Sequence, residues 1–544
     1  MSKEHTAVAG ALDASGLEHT AVEDIAGLVS ELRVGFAGGV LRSMESRKEQ
    51  LRAMLRGLRE EKQALLDAIY YDLKKHRSDG AISEWFPVEF ELGNTLDNMD
   101  AWAQADSPNV GMQQPVLLMS KAEVRWEPLG VVVVFGAWNF PVRLSLMPVV
   151  GAIAAGNCVV LKPSELAPHT AVAMERALTK YMDPAVIRVV QGDAVQGGEL
   201  LRQKFDHFFY TGGGAVGRLV AHAAADCLAG VTLELGGKCP AIVHADVADL
   251  APVATRIMWA KLNNVGQICL SVDYLLVHRS VKAKLLELLV EVTHAAYGQS
   301  PQASSGYGRI VNTRHWQRLM DVLGETHGTP IDVTADQPDQ EDRFIPPIIV
   351  DNVQPDDALM RDELFGPILP VLTYDTLDEA IALVNAQAQP LSLYVFAGSA
   401  AAEHVVSHTR SGCAVVNDTM INLASHAIPF GGVGPSGVGN YTGRYSFETF
   451  SHARYVLKRP LWFPTPGIDS IRMPPFDGPA NDWKLPLIQA MAFPCVKPLR
   501  KTFLGRLATY IPFWRILAIV PGFLLALIKA RPLVKRQPNR PTEH

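Results

Sequence analysis

From residue 130 onward the chain repeats one design: a short, unbroken apolar run followed by a helical or turn-like stretch. GVVVVFG, NCVVLKPS, VIRVVQG and HFFYTG come first, and AIVHADV, YLLVHRS, ILPVLTY, LYVFAG and AVVND form a second series. Val-rich runs that do not alternate with polar residues suit strands buried on both faces. Such strands separated by helices make a parallel sheet of the doubly wound kind. Two series predict two α/β domains, in keeping with 544 residues of which 48% are hydrophobic and 19% charged.

The rest of the chain is less regular. Residues 1–22 are small, polar and aperiodic, and read as a loose leader with no apolar stretch of the kind that directs secretion. Leu51, Leu55, Leu58, Leu65 and Ile69 recur at helical intervals among charged residues, which predicts one long amphipathic helix. Cysteines 158, 227, 239, 269, 413 and 495 are scattered singly, with no CxxC pair and no histidine cluster, so neither a disulfide framework nor a metal site is expected and a reducing compartment is. From Lys497 on, ten Lys or Arg face one acid, Glu543; this segment carries about +9 and leaves about −15 on the remainder of a chain whose net charge is −6.

Within KLNNVGQICLSVDY at 261–274, Gly266-Gln267 offers a flexible turn that could present the Cys269 thiol from a loop. Free cysteines are among the most buried residues, so this alone does not separate a nucleophile from a packing residue. In TLELGGKCP, Glu234 ends an apolar run and meets Gly236-Gly237; it could be a helix cap, a ribose ligand or a general base. Asn139 in FGAWNFP lies just beyond the Val131–Val134 run, at the strand end where α/β proteins bind ligands, and could equally be a turn asparagine. TGGGAVG at 211–217 satisfies G-x-G-x-x-G through Gly212, Gly214 and Gly217; the acid expected about 20 residues on would then be Glu234, 17 past Gly217.

GQIC with Cys269, ELGGK with Glu234, WNFP with Asn139, KPSE at 162–165, ELFGP at 363–367 and PFGGVGPSG at 429–437 occur in the order, and nearly the spacing, of the aldehyde dehydrogenase superfamily. The last motif, running on into YSFETFSHAR, resembles the class 3 branch that includes fatty aldehyde dehydrogenases, and the resemblance spans roughly 25–460. It implies that Cys269 is the nucleophile, that Glu234 activates the water that hydrolyses a thioester, and that the Asn139 amide with the Cys269 backbone N–H holds the adduct's negative oxygen. It further implies a cofactor, NAD with NADP also accepted, held by Trp138, Lys162, Ser164 and Glu165, by Thr211, Gly212, Gly213, Gly214, Val216 and Gly217, by Leu235 and Gly236, and by Glu363 and Phe365. Lys162 and Glu165 would reach the adenosine ribose, which leaves Glu234 to serve as base; a carboxylate at Glu165 would repel a 2′-phosphate. The chain departs from the family at Gly213-Gly214, where a hydroxyl residue is usual, at Ile268, at Pro435, and in the 35-residue separation of Glu234 and Cys269, one more than usual.

The fold expected is therefore α/β, with two doubly wound parallel-sheet domains, one cofactor-binding and one catalytic, a bridging β arm and a C-terminal membrane-associated tail. The divisions expected are a leader at 1–22, a cofactor-binding domain at 23–106 and 130–234, a catalytic domain at 235–440, oligomerisation strands at 107–129 and 441–460, a surface wrap and gating segment at 461–502, and a basic apolar tail at 503–544. The 13-residue run ILAIVPGFLLALI at 516–528 is short of the roughly 20 residues a span needs, so an interface-bound anchor is expected ahead of a true span or a docked helix. NDWKLPLIQAMAF at 481–493 could form a helix over the substrate funnel. The reading is an intracellular, cytosol-facing homodimer that oxidises lipophilic long-chain aldehydes, fatty or apocarotenoid, at a membrane surface, with no nucleic-acid partner. Its rivals are a Cys269–Glu234 thioester or amide hydrolase without redox chemistry, which would leave Lys162, Glu165 and Glu363 unused, and a non-catalytic binding protein, which would not need Cys269.

Overall fold

The computed structural model describes residues 17–109, 117, 120–331, 333–460, 473–479, 481–482 and 484–485. The first strand is β1 (Lys121–Pro128), and five more follow: β2 (Val131–Phe135), β3 (Cys158–Lys162), β4 (Ile187–Val189), β5 (His207–Gly212) and β6 (Gly230–Leu235). A second set comprises β7 (Pro240–Val243), β8 (Tyr274–His278), β9 (Thr329–Ile331), β10 (Ile348–Asp351), β11 (Ile368–Tyr374), β12 (Ser392–Phe396) and β13 (Cys413–Val416), and β14 (Gly437–Val438) and β15 (Ser451–Lys458) close the series. Every apolar run of the two series supplies one of these strands.

The described residues divide into two compact units, one within 17–103 and 127–452, the other within 104–126 and 453–485. The first contains two sheets. In the six-stranded sheet the order is β14-β6-β5-β2-β3-β4. All its pairs are parallel except β14 on β6. The chain runs outward from β2 through β3 and β4, then returns to β5 on the other side of β2, so the switch in winding falls between β2 and β5. That is where the carboxyl ends of doubly wound strands open a ligand crevice. All ten residues of β2 and β3 are buried, as unbroken Val runs require. The second sheet, β13-β12-β7-β8-β11-β10-β9, is likewise parallel except at its β9 edge.

Several boundaries differ from those read from sequence. The helix expected across Leu51–Ile69 is two, Met44–Glu60 and Lys62–Leu73, although the backbone ladder continues through the junction from Glu61 N–H to the Gly57 carbonyl at 2.9 Å. The periodicity is real, but Glu61 sits out of line there (φ −93, ψ 9), and its carboxylate faces Arg176 and Lys180 across the neighbouring helix. Residues 17–21 are tied down where a loose leader was expected: Thr20 exchanges backbone and hydroxyl hydrogen bonds with Gln191 and accepts from Gln196. Gly437–Val438, assigned by sequence to the catalytic stretch, pairs with β6 in the first sheet. Within 441–460, expected as strand, Arg444–Thr449 is helical and only β15 is extended. That helix packs where Gly151 leaves no room for a side chain against Ser446, and Asn157 donates to the Phe450 carbonyl at 2.8 Å.

In the second unit, β1 and β15 form a two-stranded sheet. Asp106 and Val124 exchange backbone hydrogen bonds, and Glu123 is gripped by Arg125 and Lys458, which hold its carboxyl below the usual range. Tyr455 and Leu457 are exposed on this ribbon. Among the described residues no helix is long and apolar enough to cross a membrane. The tail at 503–544 lies outside the described residues, as does most of the gating stretch at 481–493.

Candidate active site

The loop that carries Cys269 is strained and heavily braced. Asn264, Val265 and Gly266 stand in succession at φ 49, 57 and 74, a left-handed run that costs most at the β-branched valine. Gly266 has no alternative: a Cβ there would meet the Gly366 carbonyl at 2.2 Å. Gln267, fully buried, holds the run in place. Its Nε2 donates to the Asn264 and Arg309 carbonyls at 3.1 and 3.0 Å, and its Oε1 accepts from Val311 N–H at 2.9 Å. The flexible turn read from Gly266-Gln267 is thus a locked one, and it delivers Cys269 partly exposed to a cavity.

Cys269, Glu234 and Thr211 line that same cavity, which has room for about 50 Å³ of solvent, enough for a few waters. Its wall is mostly apolar: Phe140, Leu144, Ile268, Leu270, Leu423 and Phe430. Register explains how Glu234 gets there. Within the first sheet it is flanked by Thr211 on β5 and by Gly437 on β14, and Gly437 can approach because it carries no side chain; a Cβ would strike the Leu233 carbonyl at 2.2 Å. Both Glu234 carboxylate oxygens are buried without a hydrogen-bond partner among the described residues. Burial alone holds its carboxyl well above the usual carboxylate range. Cys269 is also pushed up, by burial first, then by the Glu363 and Glu234 carboxylates; its own backbone N–H and Arg143 pull the other way.

Asn139 lies just past β2, buried, with Nδ2 donating to the Gln267 carbonyl at 3.0 Å, two residues before the cysteine. Its backbone carbonyl accepts from Asn264 at 2.9 Å and from Lys75 at 3.3 Å. One amide hydrogen is therefore committed and one is left. Behind the thiol, Cys239 Sγ contacts the Cys269 carbonyl at 3.2 Å.

The remaining sequence candidates fall into two groups along the carboxyl edge of the first sheet. Glu363 lies against Gly236, where a Cβ would meet its Oε2 at 2.0 Å, and accepts from the Gly237 N–H. Burial and Asp273 push it up to about 8, against the pull of that N–H, Lys238 and Arg318. Phe365, at φ 55, meets Trp138 edge-on with ring centres 5.4 Å apart. Further along, Lys162 ends β3 and pairs with Glu165 at 2.8 Å, while Ser164 Oγ accepts from the Leu166 N–H at 3.3 Å. Gly213 and Gly214 open the helix Gly214–Cys227 with no side-chain cap and nothing within 4 Å of where a Cβ would stand, so the backbone N–H groups are accessible to an anion. Gly217 packs on Leu235, and Val216 is exposed beside the turn. An uncapped helix start, two accessible glycines and carboxylates at 165 and 363 spaced along one sheet edge fit a dinucleotide.

Sequence reasoning missed Arg143, Phe140, Tyr441 and Thr442 in the cavity wall, and the buried Lys238–Asp273 pair, 2.5 Å apart, that ties the Glu363 segment to the strand after Cys269 through Leu364 N–H on Asp273. Phe140 and Arg143 were within reach of it, since they follow Asn139 directly past a strand end. Nothing local marks Tyr441.

A doubly wound, dinucleotide-type sheet beside a cavity shared by a thiol and an unpartnered carboxylate defines a class of α/β protein suited to cofactor-linked thiol chemistry. The sequence profile of the aldehyde dehydrogenase family matches residues 18–456, and the chain belongs to that family. It is 39% identical over 444 residues to the mouse aldehyde dehydrogenase described as dimeric and NADP-preferring, covering 81% of this chain and 96% of that protein. It is 37% identical over 482 residues to aldehyde dehydrogenase family 3 member A2 of Macaca fascicularis, covering 88% and 97%. These relatives bear out the class 3 branch. The substrate-bound AldH of Staphylococcus aureus superposes with a TM-score of 0.81 at 34% identity, covering 86% of this chain and 99% of that one. The protein is an enzyme that oxidises aldehydes to carboxylic acids with NAD(P).

Proposed function

We propose that Cys269 is the nucleophile, Glu234 the base that hydrolyses the acyl enzyme, and Asn139 with the Cys269 backbone N–H the donors to the adduct's oxygen. The observation that carries this is the unpartnered Glu234 carboxylate facing the same small, apolar-walled cavity as the thiol. The sulfur adds to the aldehyde carbon and gives a thiohemiacetal. The remaining Asn139 amide hydrogen and the backbone N–H take the new oxyanion, and one such donor contributes about 3–4 kcal/mol. When bound, NAD(P) supplies the two-electron acceptor that turns this adduct into a thioester. Glu234 then removes a proton from water entering the cavity, and the resulting hydroxide releases the acid from Cys269. Its raised proton affinity suits a base that works near neutral pH.

The cofactor is held by Lys162, Ser164 and Glu165 at the adenosine ribose, by Thr211 to Gly214, Val216 and Gly217 at the pyrophosphate, and by Trp138, Leu235, Gly236, Glu363 and Phe365 around the nicotinamide ribose and ring. Glu165 makes NAD the preferred form. The substrate is a lipophilic, long-chain aldehyde: six apolar side chains wall the cavity, and the basic apolar segment at 503–544 tethers the enzyme to a cytosol-facing membrane surface. The exposed Tyr455 and Leu457 on the β1–β15 ribbon support a homodimer joined through these strands. Kinetics across aldehydes of increasing length, with NAD and with NADP and with Cys269→Ser as control, test the reading; flat or falling kcat/KM with chain length removes the lipophilic substrate.

A further inference from the structure

The helix Pro141–Ala155 buries fourteen of its fifteen residues, and the exception is Arg143. It stands in the first turn, four residues after Asn139, and lines the cavity shared by Cys269 and Glu234. Its Nη2 donates to the Leu423 carbonyl at 3.0 Å, which fixes the direction of the guanidinium; among the described residues no carboxylate comes within ion-pair reach, and Glu84 and Glu91 act on it only at longer range. A cation left unpaired in a mostly apolar wall is expensive unless an anion forms beside it. Of the other cations near this loop, Lys75 is committed to Glu84 at 2.8 Å and Lys238 to Asp273 at 2.5 Å, while Lys261, whose Nζ is buried without a partner among the described residues, faces Asp273, Glu363 and Cys239 rather than Cys269.

The groups facing Cys269 are Glu234 from β6, Glu363 from the segment before β11, Cys239 at the head of β7, Tyr394 from β12, Tyr441 and Arg143. Two of these are acids that oppose a sulfur anion whenever they ionise and three are neutral at pH 7, so Arg143 is the side chain among them that favours a sulfur anion. We infer that Arg143 is a charge-positioning residue: it stabilises the Cys269 thiolate against the two carboxylates and afterwards shares the charge of the adduct's oxygen. Ionisation breaks the S–H bond, leaves the electron pair on sulfur and passes the proton to water in the cavity. This rests on Cys269 being the nucleophile and adds the group that makes it reactive in a site whose burial opposes a thiolate.

The test follows the alkylation rate of Cys269 by neutral iodoacetamide against pH, read on the peptide containing Cys269 by mass spectrometry, in the full-length wild type, Arg143→Gln and Arg143→Lys. The midpoint should rise by about one pH unit or more in Arg143→Gln and return most of the way in Arg143→Lys. Turnover of an uncharged aldehyde at pH 7 should fall roughly tenfold in kcat with little change in KM. Should Arg143→Gln fold poorly, Arg143→Met makes the same comparison with an apolar stem. Superimposed profiles overturn the inference. So does a loss confined to aldehydes bearing a distal carboxylate, which would make Arg143 a substrate anchor. Undiminished turnover in Cys269→Ser would sink the nucleophile assignment instead, so the two failures read separately.

Discussion

Glu84 and Glu234 are both sealed carboxylates in the same compact unit, and they are treated in opposite ways. Glu84 takes Lys75 on one oxygen at 2.8 Å and the Val142 N–H on the other at 3.0 Å, and Lys75 reaches on to the Asn139 carbonyl. Burial raises its proton affinity, but Lys75 and that N–H oppose the rise. Glu234 has no such partner, and nothing offsets its burial. A carboxylate with both oxygens occupied is a brace, here for the segment that carries Asn139. A carboxylate kept empty-handed beside a small cavity is available to a water.

The largest effect is expected at the thiol beside the unpartnered acid. Cys269→Ser should lower turnover roughly a thousandfold or more while leaving the melting temperature close to the wild type, measured side by side. Glu234→Gln should lower steady-state turnover by about 10²–10⁴-fold, with an initial burst of reduced cofactor near one per chain and no loss of stability. Glu84→Gln should do the reverse, costing about 3–5 kcal/mol in denaturant unfolding by stranding the Lys75 charge, with activity falling only as the fold does. Equal stability losses in the two variants would break the comparison.

A smaller effect sharpens it. The folded-state affinity of Glu234 for its proton is raised, so between the usual carboxylate value of 4.5 and its folded value the native chain binds more protons than the unfolded one. Stability is therefore lost as pH rises through that window. The melting temperature of the wild type minus that of Glu234→Gln should fall between pH 5 and 8; a rising difference would mean Glu234 has a hidden cationic partner. The smallest change is expected at the exposed end of the sheet edge, where Glu165→Gln should shift the NADP-to-NAD ratio of kcat/KM upward by about tenfold, the order of one screened charge contact.

The strands were legible because burial on both faces writes itself as unbroken Val runs; Cys269, Glu234 and Asn139 stood out at a strand end or in a glycine turn, but their local sequence left other roles open and only the family resemblance of the ordered motifs chose among them. What was not legible depends on distant pairing. Gly437 reads as a loop glycine until β14 lies against β6, and the kink at Glu61 follows from Arg176 and Lys180 on another helix. Arg143 looks like a surface charge in PVRLSLMP until the helix around it is found buried. The left-handed run at 264–266 has no sequence mark except its glycine, because Gln267 enforces it through Arg309 and Val311, more than forty residues away.

Direct evidence would come from denaturing Glu234→Gln within its first turnovers on an excess of aldehyde and cofactor, and weighing its peptides. One acyl group per chain is expected, carried on the peptide of Cys269 and removed by neutral hydroxylamine. No retained acyl group, or one on Cys239 or Cys413, would contradict it.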